Sequence, residues 1–113
     1  MDKDPKVFLR HILGSIEDLE SYTKGVSHDV FMASREKQDA VVRRLEVIGE
    51  AVKNLPNEFR EKNADIPWKK IAGMRDELIH EYFSVDLELV WATVADIVPE
   101  FKKQVQRMLK GVK

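Results

Sequence analysis

The sequence predicts an all-α fold, a bundle of four or five helices. Apolar residues recur at three- and four-residue spacing along nearly the whole chain, and no segment shows the alternation typical of a strand. Charged residues occupy 35% of the positions, a proportion typical of helices with one solvated face. The length of 113 residues suits one domain, residues 1–113, and a domain this small gains from burying more surface on dimerisation.

The first helix is predicted to begin at Asp4 and Pro5, because proline tolerates the first turn and the aspartate can cap it. Gly25 is expected to end this helix. Residues 27–32 then form a connector with room for one helical turn. The apolar stripe of the first helix is formed by Phe8, Ile12, Ile16, Leu19 and Thr23.

A second long helix is predicted to begin at Ser34, although Lys37 stands where a capping box would have an acidic residue. Its apolar residues form the most regular helical pattern in the chain. Gly49 interrupts this pattern, which suggests that another helix crosses nearby. The stripe consists of Val41, Leu45, Ile48, Val52 and Leu55.

The second half of the chain begins with an irregular stretch, residues 56–67, with a short helix possible at 57–62. A helical turn at 68–72 and a further helix at 74–83 follow. Asp86 is expected to cap a last helix that Gly111 closes, and Pro99 should kink it near residues 95–98 because proline removes a backbone hydrogen bond. Its predicted inner face comprises Leu87, Val90, Trp91, Val94, Ile97, Phe101, Val105 and Met108.

The composition excludes several functional classes. The absence of cysteine excludes disulfides and thiolate zinc sites, and a net charge of −1 excludes binding to nucleic acid through overall basicity. His11 and His28 lack partners at metal-ligand spacing, so we interpret both as structural or solvated and expect no metal and no cofactor. No apolar run approaches the roughly 20 residues of a membrane span, and we expect a cytoplasmic protein without membrane contact.

Four ionisable residues and a phenol are concentrated between Arg75 and Tyr82. Asp76 and His80 lie four apart, so the carboxylate can orient the imidazole on a helix. Arg75 and His80 lie about 140° apart on the same helical wheel, so one regular helix does not aim both at one phosphate. A distortion near Gly73 would bring them together, and so would a second copy of the helix across a two-fold axis. The second arrangement predicts a homodimer with the active cleft at its interface.

An arginine–histidine pair can cleave RNA without a metal, because RNA carries its own nucleophile in the 2′-hydroxyl. His80 would move the proton and Arg75 would stabilise the charge on the phosphate, leaving a cyclic phosphate or 3′-phosphate and a 5′-hydroxyl end. The alternative is an ion network on a helix surface with no catalytic role. The spacing alone favours this alternative.

The run IPWKKIAGMRDELIHEYF, residues 66–83, resembles the signature of HepT-like HEPN proteins, and the resemblance extends to residues 38–53 and 85–91. It implies a dimeric helical bundle whose R-x4-H-x-Y motifs face a shared cleft, with Arg75 and His80 as the ribonuclease pair of a toxin. It also implies that a minimal nucleotidyltransferase antitoxin silences the toxin by adding AMP to Tyr82. The family commonly has asparagine after the arginine, whereas Asp76 adds negative charge where RNA would bind.

Positive charge for RNA binding would have to come from nearby basic residues, each of which is alternatively a solvated helix-face charge. The candidates are Lys69, Lys70, Arg43, Arg44 and Lys53. No DNA binding is expected. Two alternatives to a ribonuclease are a non-catalytic adaptor that docks a nucleotidyltransferase or binds a nucleotide through Arg75 and His80, and a plain dimerisation module with an apolar interface in residues 68–83.

Overall fold

The structure is a computed structural model that describes residues 4–73 and 86–111, and within these ranges it contains helices and no strand. The predicted all-α bundle is therefore confirmed. The helices are α1 (Pro5–Thr23), α2 (His28–Ala33), α3 (Arg35–Asn54), α4 (Asn57–Lys62), α5 (residues 68–73), α6 (Leu87–Ala92) and α7 (Val98–Gly111), with a π-helical turn at Thr93–Ile97 between α6 and α7.

Helix α1 begins and ends where its sequence predicts. Asp4 accepts a hydrogen bond from the backbone N–H of Lys6 at 3.0 Å, and Pro5 opens the helix. At the other end, Gly25 has a φ of +72°, a left-handed conformation that glycine adopts at little cost. These local signals set the length of the helix.

The predicted connector is a separate helix, α2, of six residues. The hydroxyl of Ser27 caps it by accepting from the N–H of Val30 at 3.2 Å. Its C-terminal end is held by the side-chain amide of Gln38 on α3, which donates to the carbonyls of Phe31 and Met32, each at 3.0 Å. The connector is therefore ordered by contacts with α3 as well as by its own cap.

The core lies between α1, α3 and the helix that runs from α6 to α7, and α1 packs against both α3 and α7. Almost all of the predicted stripe residues of α1 and α3 are buried in it, and Gly49 is buried as well. Two ion pairs link the outer surfaces of these helices: Arg44 to Asp18 at 3.6 Å and Lys102 to Glu20 at 2.7 Å. The fully or almost fully buried apolar side chains of α1 and α3 are Leu9, Ile12, Ile16, Leu19, Val41, Leu45, Ile48, Val52 and, directly after α3, Leu55.

The last helix contains an extra residue that shifts its inner face. The N–H of Val98 donates to the carbonyl of Thr93, five residues back, and Val98 rather than Ile97 is buried. The prediction that Ile97 belongs to the inner face is therefore wrong. The predicted disruption before Pro99 takes the form of this wide turn, because the proline cannot donate to the carbonyl of Ala95 as an α-helix would require.

Candidate functional site

The predicted catalytic residues Arg75, Asp76 and His80 and the predicted modification site Tyr82 lie outside the described residues. The structure does describe both flanks of the segment that carries them, residues 74–85. The structure therefore establishes how the bundle holds the two flanks of the candidate site.

On the N-terminal side, α5 is fixed to the core through Trp68 and Ile71, which are 7% and 1% exposed. The indole N–H of Trp68 donates to the carbonyl of Asn63 at 3.0 Å, and its ring makes an edge-on contact with Phe101, with 6.0 Å between centroids. Because the indole is held by packing and a hydrogen bond together, it defines the position of α5 on the bundle.

On the C-terminal side, α6 is capped by Asp86, whose carboxylate accepts from the N–H of Leu89 at 3.0 Å. Val90 is completely buried, and the ring of Trp91 packs against Phe31 of α2 at 5.2 Å between centroids. The predicted cap at Asp86 is confirmed. The described chain therefore resumes at a capped helix start.

His28 on α2 makes a cluster of contacts with this helix start. Its Nε2 lies 3.0 and 2.9 Å from the two carboxylate oxygens of Glu88, its Nδ1 lies 3.6 Å from Asp29, and its ring contacts Trp91 edge-on at 5.7 Å. The hydrogen bond to Glu88 raises the pKa of His28 above its ordinary value, and the charge of Glu88 and the Asp29 carboxylate add to that effect. The interpretation of His28 as a structural residue is thus supported. Its partner was not predictable, because Glu88 lies 60 positions away.

The five residues proposed for RNA binding occupy two helices. Lys69 and Lys70 are exposed on α5, whereas Arg43 and Arg44 on α3 are engaged with Glu46 and Asp18, each at 3.6 Å. Lys53 is exposed at the end of α3. Carboxylates offset the two arginines, so the exposed lysines of α5 are the stronger candidates for phosphate contacts. Their role in RNA binding stays a prediction.

The described bundle also has a shallow groove of about 300 Å³ between α1 and α3. Phe8 and Val47 provide apolar surface there, while His11, Arg43 and Glu46 provide groups of both signs. No group of three or more His, Asp or Glu side chains in residues 4–73 and 86–111 is placed to hold a metal ion. In the same ranges, no helix is long and apolar enough to cross a membrane.

Comparison with known proteins identifies the family. The model of the ribonuclease HepT-like family matches residues 12–108, which is most of the chain. The chain belongs to this family. The matched range of this HepT-like chain contains both anchored flanks, the segment 74–85 and the His28–Glu88 contact.

Curated relatives agree with this assignment. Over 111 residues the HepT-like chain is 50% identical to a candidate RNase of Caldanaerobacter subterraneus, and the alignment covers 98% of this chain and 99% of the relative. It is 40% identical over 110 residues to a protein of Thermococcus cleftensis named as a probable ribonuclease HepT, covering 97% and 100% of the two chains.

A relative from Methanocaldococcus jannaschii is 53% identical over 110 residues and is named as a gamma-glutamylcyclotransferase and candidate RNase. The alignment covers 97% of this chain but 50% of that relative, so the HepT-like chain spans half of its length. No solved structure matches the chain.

Proposed function

We propose that this chain is a metal-independent endoribonuclease that acts as the toxin of a toxin–antitoxin pair. The observation that carries the proposal is the family match over residues 12–108, which includes Arg75, His80 and Tyr82 in the order R-x4-H-x-Y. The RNase names of the Caldanaerobacter and Thermococcus relatives, which align over nearly their whole lengths, support RNA as the substrate.

In the proposed reaction, His80 takes the proton of a ribose 2′-hydroxyl, and that oxygen attacks the adjacent phosphorus. The bond to the 5′-oxygen breaks, and this oxygen takes a proton from solvent water as it leaves. Arg75 binds the non-bridging oxygens through its forked donors and stabilises the charge that builds on them. Asp76 holds the imidazole by its other nitrogen. The products are a 2′,3′-cyclic phosphate, which can open to a 3′-phosphate, and a 5′-hydroxyl end.

The scaffold supports such chemistry because both flanks of the segment 74–85 are held by the core. Trp68 and Ile71 are buried on one side, and Val90 is buried on the other. Catalytic groups need a rigid support to stay aligned with a phosphate, and the described residues on both sides of the segment are buried in the core. Lys69 and Lys70 precede the segment and can attract the RNA backbone at low ionic strength.

The first test is cleavage of RNA by the purified protein in the presence of a chelator. Arg75→Ala and His80→Ala should each lower the rate by at least about a hundredfold, since positioned acid–base groups contribute 10²–10⁴-fold. Arg10→Ala and His11→Gln are matched controls at exposed positions of α1 and should cleave at the wild-type rate. End analysis of the fragments should show cyclic phosphate and 5′-hydroxyl termini.

Three outcomes would contradict this proposal. A strict requirement for added metal would exclude the metal-independent mechanism. Normal cleavage by both Arg75→Ala and His80→Ala would exclude these residues as the catalytic pair. No cleavage by the wild type would instead favour the non-catalytic adaptor that docks a nucleotidyltransferase.

The proposed off-switch is transfer of AMP to Tyr82. A bulky anion beside Arg75 would occupy the phosphate site and repel RNA. After co-expression with the nucleotidyltransferase antitoxin, mass spectrometry should find AMP on Tyr82 and none on Tyr22, the other tyrosine, which is 39% exposed on α1. Tyr82→Phe should cleave RNA and resist silencing by AMP transfer. Silenced protein with an unmodified Tyr82 would refute the switch.

A further inference from the structure

We propose that a groove between α4 and α7, together with a row of basic residues on α7, binds single-stranded RNA through residues outside the R-x4-H-x-Y motif. That this RNA is also the substrate of the chain rests on the proposed function. The binding itself is measured without any cleavage assay.

The exposed face of α7 carries an excess of positive charge. The helix has four cations and one carboxylate, Glu100, whereas the whole chain has a net charge of −1. Lys103, Arg107 and Lys110 are all exposed and are spaced by four and three positions, so they form one row on the side opposite the buried Val105. Within the part of the chain that the structure describes, none of the three forms an ion pair with a carboxylate. This α7 basic row is therefore available to a polyanion.

A groove of about 400 Å³ runs along the edge of the α7 basic row, between α7 and α4 with the loop that follows it. Its bottom is apolar, because Ile66 and Met108 are 5% and 8% exposed and the half-buried Phe59 adds an aromatic ring. Its volume falls in the range of small-ligand pockets, roughly 300–1,000 Å³. Arg107 belongs both to the groove and to the basic row. A nucleotide whose base enters the groove would therefore have its backbone beside the row.

The α4 side of this α4–α7 groove is held in shape by hydrogen bonds of Asn63. Its side-chain amide donates to the carbonyl of Phe59 at 2.9 Å, and its own carbonyl accepts from the N–H of Ile66 at 3.1 Å and from the indole of Trp68 at 3.0 Å. The rings of Phe59 and Trp68 pack with 6.5 Å between centroids. Because these contacts form within the chain itself, the groove is preformed and binding pays little for ordering it.

The charges on the α4 side separate the backbone from the base. Lys62 is paired with Glu58 at 3.5 Å, and Asp65 is exposed on the groove. These carboxylates repel phosphate, so the backbone is expected on the α7 side, at Arg107. The oxygens of Asp65 and Gln104 instead accept hydrogen bonds from the exocyclic amino group of a base. The groove thus favours bases that carry such a group over uracil.

The recessed apolar surface favours RNA over an anionic membrane. Single-stranded RNA is recognised by stacking of its bases on aromatic side chains beside a basic surface, and Phe59 and the α7 basic row provide these two parts. Binding to a membrane surface instead requires apolar side chains that protrude among the cations. Ile66 and Met108 are buried at the bottom of the groove and cannot insert into lipid.

The first experiment measures binding of a fluorescent 2′-O-methyl oligoadenylate by anisotropy at 0.1 M salt. The methyl group blocks the nucleophile, so the wild-type protein is used without cleavage. In the triple variant Lys103→Gln/Arg107→Gln/Lys110→Gln, the Kd should rise about tenfold or more. The slope of log K against log salt should also decrease in magnitude by about 2, since each phosphate contact on a single strand contributes roughly 0.7.

The matched control removes three exposed cations from α1, its C-terminal end and the start of α3, as Arg10→Gln/Lys24→Gln/Arg35→Gln. The net charge changes equally in both triple variants. The control should lose about threefold in affinity or less, because charges more than about 10 Å from the bound RNA are largely screened at this salt concentration. Equal losses in the two triple variants would reduce the attraction to general electrostatics and overturn the proposal.

The second experiment tests the groove. Phe59→Leu should weaken oligoadenylate binding about fivefold or more through the loss of stacking. Asp65→Ala should lower the ratio of the affinities for oligoadenylate and oligouridylate. Phe8→Leu, at a half-buried position of α1, is the control for the loss of a ring and should bind like the wild type. Wild-type affinity in Phe59→Leu, with an unchanged ratio in Asp65→Ala, would overturn the proposal.

Ultraviolet crosslinking keeps the proposal testable if Phe59→Leu does not fold, because it uses the wild type. After digestion, mass spectrometry should find the crosslinked oligonucleotide on peptides that contain residues 59–66 or 103–111. Crosslinks confined to other parts of the chain would overturn the proposal.

Vesicles that contain phosphatidylserine test the membrane alternative. They should not displace the oligonucleotide from the wild type. Vesicle binding that disappears in the α7 triple variant, together with no RNA binding by the wild type, would assign the α7 basic row to a lipid surface and overturn the proposal.

A failure of the proposed function is distinguishable from a failure of this inference. If the wild type binds RNA through the α4–α7 groove but does not cleave it, the nuclease proposal fails and this one stands. If the wild type cleaves RNA, KM should rise in the α7 triple variant by about the same factor as the Kd. Cleavage with the same KM in both proteins, and no loss of binding, would overturn this inference and leave the nuclease proposal in place.

Discussion

His28 illustrates how an exposed side chain obtains a defined role from contacts that the fold supplies. On its own helix it has one weak partner, Asp29 at 3.6 Å. The approach of α6 adds the carboxylate of Glu88 and the ring of Trp91. Because these partners favour the imidazolium, the folded protein binds the proton more tightly than the unfolded chain does. The stability of the protein must therefore depend on pH at this residue.

We expect that dependence to have a definite sign. A raised pKa gives stabilisation that is fully present below the unfolded value of 6.5 and is lost as the pH rises through the folded pKa. Urea unfolding of the wild type and His28→Gln should show a difference in unfolding free energy that is largest below pH 6.5 and shrinks above the folded pKa. A difference between wild type and His28→Gln that does not change with pH would show that the ion pair contributes nothing.

At the scale of elements, the π-helical turn allows α6 and α7 to bury their apolar residues in the same core. The buried residues Val90, Thr93, Val98 and Phe101 are separated by three, five and three positions. The five-residue step coincides with the hydrogen bond from Val98 to Thr93, so the turn works as a one-residue insertion in an α-helix. Without that insertion, a regular helix would place Ile97 rather than Val98 on the face of Val90.

This register can be tested by deletion. Removing the exposed Ala95 together with Pro99→Ala should convert the turn to α-helix while keeping Val98 and Phe101 in the core, because the step from Thr93 becomes four and the alanine supplies the missing N–H. The expected result is cooperative thermal unfolding with a Tm near that of the wild type, measured by circular dichroism.

The matched control removes the exposed Lys103 in the same Pro99→Ala background. This deletion rotates Val105 and Met108 by about 100° out of the core and should cost about 3 kcal/mol or more, from the loss of two buried apolar side chains. Equal losses of stability in the two deletions would refute the interpretation of the turn as an insertion.

The helix ends were predictable from the sequence because their determinants are local. Asp4, Ser34 and Asp86 each accept a hydrogen bond from an N–H two or three residues ahead, and Gly25 adopts the positive φ that its type suggests. The π-helical turn was not predictable, since Val94, Ile97 and Val98 are all apolar and the core alone selects between them.

The candidate site likewise has parts that the sequence predicts and parts that only helix packing determines. The cluster of ionisable residues between Arg75 and Tyr82 made Arg75 and His80 candidates, and their spacing by itself favoured a surface ion network. The resemblance to HepT-like proteins then favoured the catalytic role. The contact between His28 and Glu88 joins residues 60 positions apart, and no local pattern indicates it. Contacts of that kind depend on how whole helices pack.

At the scale of the whole molecule, the spacing of the catalytic candidates bears on whether one chain or two chains form each active site. Arg75 and His80 lie about 140° apart on a regular helix, which favours a cleft that takes one residue from each subunit of a dimer. Association is also favourable for stability, because a small domain with 43% hydrophobic residues buries more apolar surface in a dimer. The shared cleft also predicts a specific pattern of complementation between inactive variants.

Mixing Arg75→Ala with His80→Ala should restore cleavage if the two residues act across the dimer. After subunit exchange, roughly half of the dimers are mixed, and each mixed dimer has one site with both residues intact, so about a quarter of the wild-type activity should return. Each variant alone should remain inactive, and a mixture of Arg75→Ala with the double variant should stay inactive too.

The measurement is the initial rate of RNA cleavage after co-refolding equal amounts of the two variants, with sedimentation confirming a dimer. If both residues act within one subunit, every mixed dimer lacks a complete site and the mixture stays inactive. That result, with dimers present, would refute the shared cleft while leaving the ribonuclease pair itself in place. Recovery in a monomeric mixture is excluded by the same geometry, because neither chain then carries both groups.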